Sequence, residues 1–71
     1  MMQRYSVASS NIISIGYDEH SQTLEVEFLS GSIYQYYGVP LNLYEQLMQD
    51  GSKGRFLNTY IKNAFGYSRV G

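Results

Sequence analysis

Hydrophobic and polar positions alternate most regularly over residues 23–29, TLEVEFL, where Leu24, Val26 and Phe28 fall on one side and Glu25 and Glu27 on the other. A period of two with one apolar and one charged set predicts a strand with a dry face and a wet face. Residues 11–18, NIISIGYD, read as a second strand with Ile13, Ile15 and Tyr17 on one face, and the polar DEHSQ between them as a hairpin turn. A third strand follows SGS at 30–32, and the geometry of that turn decides where its tyrosines point. A two-residue loop at Ser30-Gly31 would set Phe28 opposite Ile33 and place Tyr34 and Tyr36 with the glutamates. A type I turn with Gly31 left-handed as a bulge instead pairs Val26 with Tyr34, Leu24 with Tyr36 and Glu25 with Gln35. The second register is preferred, because it matches like with like and puts glycine where positive φ is needed. Tyr34 and Tyr36 are then expected beneath the helices as half-buried core, with Tyr37 outward.

Past Tyr37 the period changes. Pro40 ends the strand and opens a helix over 41–49, with Leu43, Tyr44, Leu47 and Met48 on one face. Ser52 is the expected N-cap of a second helix over 53–64, whose apolar stripe is Phe56, Leu57, Tyr60, Ile61 and Ala64. Residues 65–70 resume extended character, as a short edge strand or a docked tail. The expected architecture is α+β, a three-stranded antiparallel meander followed by two helices packed on one face, βββαα. Residues 1–10 are read as a flexible arm and 11–70 as a single domain.

Composition narrows the function classes. With no cysteine among 71 residues, disulfides and thiolate metal sites are excluded, and His20 alone is a poor start for a metal centre. No metal and no cofactor are expected. No apolar run approaches a membrane span, and the N-terminal MMQRYSVASSNI lacks the apolar stretch of a signal peptide, so the expected compartment is the cytoplasm. A chain of this size buries a modest core, which leaves self-association as one route to stability.

The net charge of −1 conceals an asymmetry. Lys53, Arg55, Lys62 and Arg69 are four of the five cations, and no acid follows Asp50. A basic helix-and-tail side opposite an acidic sheet side suits phosphate contact. Within GSKGR, Ser52, Lys53, Gly54 and Arg55 form a candidate anion site at a helix start, where backbone N–H groups point outward. The competing reading is an ordinary capped helix with solvated cations. Tyr60 and Tyr67 are the candidate exposed rings for base stacking. Catalysis is not expected: Asp18, His20 and Ser21 are neighbours in one turn, without the scaffold a triad requires, and Glu25 and Glu27 are expected on an open surface.

Taken in order, SGSIYQYYGVP, LYEQL, SKGRFLNTYIK and YSRV resemble the KTSC domain, a family named for the C-terminus of some lysyl-tRNA synthetases and also found as small free-standing bacterial proteins. The resemblance covers about residues 7–70. It rests on Tyr34-x-Tyr36 with Val39-Pro40, then Ser52-x-Gly54 with Phe56, Asn58, Ile61 and Lys62. It implies a domain of unassigned function, with RNA binding suggested by attachment to a synthetase. Two functions follow as expectations. One is RNA binding through Lys53, Arg55, Lys62 and Arg69, with Tyr60 or Tyr67 stacking. The other is a protein-interaction or accessory module, as a homodimer through the open sheet face around Ile33 and Tyr37.

Overall fold

The computed structural model, which describes residues 2–71, places the alternating segment at the centre of a wider sheet than the pattern suggests. The elements are β1 (Tyr5–Ser6), β2 (Ile12–Asp18), β3 (Thr23–Phe28), β4 (Ile33–Tyr37), α1 (Leu41–Gln49), α2 (Lys53–Phe56), a π-helical segment (Leu57–Ile61) and β5 (Gly66–Arg69). The five strands pair antiparallel in chain order. The three-stranded meander is therefore corrected to five strands. The two additions are too short to carry a period of their own. Tyr5–Ser6 borrows its conformation from the edge of β2, opposite Ile15 and Ser14. Gly66–Arg69 borrows it from β4, opposite Tyr37 through Tyr34.

The β3–β4 hairpin has the bulged register. Gly31 sits at φ +96° and its N–H donates to the Phe28 carbonyl at 2.9 Å, while the Phe28 N–H donates to the Ser32 carbonyl at 2.9 Å. Val26 consequently faces Tyr34, Leu24 faces Tyr36 and Glu25 faces Gln35. In β2 the simple alternation fails. The register shifts between Ile12 and Ser14, so Ile12 and Ile15 turn into the core and Ile13 is exposed. An extra residue opposite a single partner reverses the faces on one side of it, and two adjacent isoleucines give no sign of which one is extra.

Both helices lie on one face of the sheet. Ile15, Leu24, Val26 and Tyr36 pack there against Leu47, Phe56, Leu57 and Ile61. Full burial of an aliphatic side chain contributes about 1.5–3 kcal/mol. Pro40 caps α1 in extended conformation, and its carbonyl accepts the N–H groups of Leu43 and Tyr44. Tyr17 stacks on Tyr44 with centroids 4.4 Å apart, and its hydroxyl donates to the Val39 carbonyl at 2.6 Å. The second helix is shorter than expected. Its α-helical turn widens after Phe56, the Lys62 N–H donates to the Leu57 carbonyl, and the helix ends at Ile61 instead of Ala64. The i→i+5 pattern breaks the 3.6-residue phase on which the stripe was drawn. Phe56, Leu57 and Ile61 remain buried, while Tyr60 and Ala64 are exposed.

The other sheet face was expected open and acidic, and this too is corrected. Glu25 is fully buried. Arg4, entering β1, crosses Gly16 and meets the Glu25 carboxylate through Nη1, while Arg4 Nε donates to Ser14 Oγ at 3.0 Å. Gln35 Nε2 donates to Glu25 Oε1 at 2.8 Å and Ser14 Oγ to Glu27 Oε1 at 2.9 Å. Tyr37 continues the network to Gln35 and to Ser68. Buried carboxylates persist only when paired and hydrogen-bonded, and here one polar lattice spans from the residue before β1 to β5. A Cβ on Gly16 would lie 2.4 Å from the Gln3 carbonyl oxygen, so the crossing requires glycine.

Candidate functional site

The helices do not cover the whole of their sheet face. They stop short of the β3–β4 turn and β5, leaving a groove of about 400 Å³. Its lining includes Phe28, Tyr34, Tyr36 and Tyr67 from the sheet, with Asn11, Lys62 and Asn63 beside them. Residues directly opposite across an antiparallel pair share a face. Tyr67 on β5 opposes Tyr36, and Arg69 opposes Tyr34, so β5 extends the aromatic surface beyond the helices.

The four rings touch in sequence. Phe28 meets Tyr34 edge-on at 5.9 Å, Tyr34 lies 6.4 Å from Tyr36, and Tyr67 leans on both at 5.9 and 6.0 Å. Tyr36 is buried, Tyr34 partly so, and Tyr67 is 60% exposed. Burial, followed by the neighbouring Tyr34 and Tyr67 hydroxyls, raises the Tyr36 pKa above its ordinary value. The hydroxyl of Tyr36 therefore stays neutral at physiological pH. Tyr34 and Tyr36 are core residues as expected, and they are also the foundation of the groove.

The groove connects to further depressions along the second helix. One is lined by Asn11, Phe28, Gly54, Arg55, Asn58 and Lys62 among others; the next is formed between Ser9–Asn11 and residues 51–55. Arg55, Asn58 and Lys62 share one side of this segment, and among the described residues none lining the three depressions is acidic. Glu25 and Glu27 lie on the opposite face, held by Arg4, Ser14 and Gln35.

The candidate residues separate accordingly. Arg55, Lys62 and Tyr67 are brought to one continuous track, and Arg69 leaves β5 on the same sheet face, its Nε donating to the Gly71 carbonyl at 2.9 Å. Tyr60 stands apart from the groove, leaning on Phe56 at 4.8 Å in a hollow that it shares with Arg55 and Asp50. Ser52 and Lys53 are turned toward the preceding loop: the Ser52 N–H donates to Asp50 Oδ1 at 2.7 Å and Lys53 Nζ to the Asp50 carbonyl at 2.9 Å. Ser52 makes no side-chain capping bond to α2, which is four residues long. Gly54 lies close to Asn11: a Cβ there would lie 3.1 Å from Asn11 Oδ1, so Asn11 would have to yield slightly to any side chain at this position. Ile33 on the opposite face is covered by Gly71, whose N–H and carbonyl both bond its backbone.

Sequence reasoning missed Asn11, which lines all three depressions, as well as Phe28 and Asn63. Asn11 sat at a strand start with no spacing to flag it. The one available signal was Gly54, a helix-weakening residue that required a close neighbour from elsewhere in the chain.

Comparison with known proteins gives a consistent result. The family model described as KTSC domain matches residues 8–65. An uncharacterised protein of Stutzerimonas stutzeri is 43% identical over 61 residues, which is 86% of each chain. A lysine–tRNA ligase of Trichormus variabilis is 43% identical over 54 residues, covering 76% of this chain but only 10% of the ligase. The crystal structure of a KTSC domain protein from Yersinia pestis matches with a TM-score of 0.95 and 44% identity over the whole of both chains. Both the Tyr34-x-Tyr36 floor and the Gly54 contact with Asn11 fall inside the matched segment, and this chain belongs to the KTSC domain family.

Proposed function

We propose that this chain is a small non-catalytic module that binds RNA as a single strand along the acid-free track. Arg55 and Lys62 meet phosphates, Arg69 adds charge at the far side, and Tyr67 offers its ring to a base. The observation that carries this reading is the exposed ring of Tyr67, resting on Tyr34 and Tyr36, within a groove that has Lys62 on its lining and no carboxylate. Single-strand binding surfaces combine these two elements, a cationic path and aromatic faces. Glu25 and Glu27 lie on the opposite sheet face, held by Arg4, Ser14 and Gln35, and so add no charge to the groove. Occurrence of the homologous segment within lysine–tRNA ligases supports an RNA context.

Fluorescence anisotropy with tRNA and with labelled single-stranded RNA at low salt tests the reading. Each phosphate engaged on a single strand contributes about −0.7 to the slope of log K against log salt, so two or three contacts give about −1.4 to −2.1. Lys62→Glu and Arg55→Glu should abolish binding. Flat titrations of both RNAs at low salt would sink the proposal.

A further inference from the structure

The groove differs in its lining from the rest of the track. Along the second helix the depressions are lined mainly by polar groups, suited to a backbone. At the sheet the lining turns aromatic around about 400 Å³, at the lower end of the range for pockets that enclose a small molecule. One ring, Tyr67, is exposed, and the three beneath it are held by one another, so the floor is rigid. The amides of Asn11 and Asn63 and the hydroxyls of Ser30 and Ser32 stand around it, able to donate to and accept from a base edge.

Building on the RNA-binding reading, we infer that this groove is a pocket for one unpaired nucleotide. The base lies against Tyr67 and the exposed part of Tyr34, with its edge toward Asn11 and Asn63, and its phosphate meets Lys62. A paired base has its edge occupied and its faces stacked, and it cannot enter a groove whose floor is a ring cluster and whose wall is the β3–β4 turn. The module thus selects unpaired positions, whether a nucleotide within a single strand or a free mononucleotide.

The test separates the pocket from the track and the two sources from each other. AMP and ribose 5-phosphate are titrated into the isotopically labelled chain by NMR, followed by anisotropy with a single-stranded and a duplex RNA of equal length. Expected are shifts at Tyr34, Tyr67, Asn63 and Lys62 with AMP but not with ribose 5-phosphate, and weaker binding of duplex than of single strand. Tyr67→Ala weakens AMP and single-strand binding at least about fivefold, whereas Tyr67→Phe, which keeps the ring, retains both. AMP shifts without tighter single-strand binding identify the free nucleotide as the source. If AMP leaves the groove unperturbed, or ribose 5-phosphate reproduces its shifts, the pocket is refuted even where RNA binds. If AMP binds as described and no RNA does, the strand reading fails and the nucleotide pocket stands.

Discussion

Replacing Gly16 with alanine isolates the contribution of the N-terminal crossing. The new Cβ would lie 2.4 Å from the Gln3 carbonyl oxygen, 3.0 Å from Arg4 Cγ and 3.2 Å from the Gln3 carbonyl carbon. Two of these three atoms are backbone, so no side-chain rotation relieves the clash. The pairing of Tyr5 with Ile15 and Ser6 with Ser14 prevents a small lateral shift. Residues 3–4 must lift, and Arg4 leaves Glu25 with only Gln35 as a partner. Removing one member of a buried pair costs about 3–5 kcal/mol when the other charge stays dry. Here the departing segment is itself part of the cover over Glu25, so water enters and the cost falls to about 2 kcal/mol. For a domain of this size that lowers Tm by about 8–16 °C. The decisive comparison is urea denaturation, followed by circular dichroism, of Gly16→Ala in the full chain and in a chain beginning at Val7. In the shortened chain nothing remains to clash, and alanine in place of glycine in a strand becomes neutral or stabilising by up to about 1 kcal/mol. Equal destabilisation in both backgrounds, or none in the full chain, refutes the reasoning.

Three further outcomes follow from the same geometry. Gly31→Ala meets no atom within 4 Å, so its whole effect is conformational strain at φ +96°, and a loss of about 1–2 kcal/mol is expected in the urea midpoint with an unchanged slope. Tyr17→Phe removes the hydroxyl that donates to the Val39 carbonyl while leaving the ring stacked on Tyr44, and should cost about 1 kcal/mol by the same measurement; an unchanged midpoint would show that water replaces the bond. Burial raises the hydroxyl pKa of Tyr36 and Tyr44 in the folded state, so only the unfolded chain ionises as pH passes the ordinary tyrosine value near 10. The stability these groups contribute is present below that value and is lost as pH rises toward the folded pKa. Tyr36→Phe and Tyr44→Phe should flatten the decline seen in denaturation above about pH 10, and an unaltered slope would show that neither residue contributes.

The alternation of residues 23–29, glycine at position 31 and proline at position 40 were enough to establish the central hairpin, its register and the start of α1. Each acts locally: a period of two, a positive φ, a fixed φ without a donor. The Tyr34 and Tyr36 pair was legible as core for the same reason. What the pattern missed depended on distant residues. The edge strand at Tyr5–Ser6, within the segment read as an arm, takes its conformation from β2, and Ile13 turns outward because a bulge shifts one side of β2. The extended character of β5 was legible, but not its partner. Glu25 looked solvated because its partner, Arg4, is 21 residues away in the chain. The candidate site divides in the same way. The cations and tyrosines were visible as residue types. Only the folded chain could set Tyr67 against Tyr34 and Tyr36, move Tyr60 away from them, and bring Asn11 to Gly54. Local sequence determined which residues were available for a site. Long-range pairing decided which of them share a surface, because a site is defined by proximity in space and short strands carry no record of it.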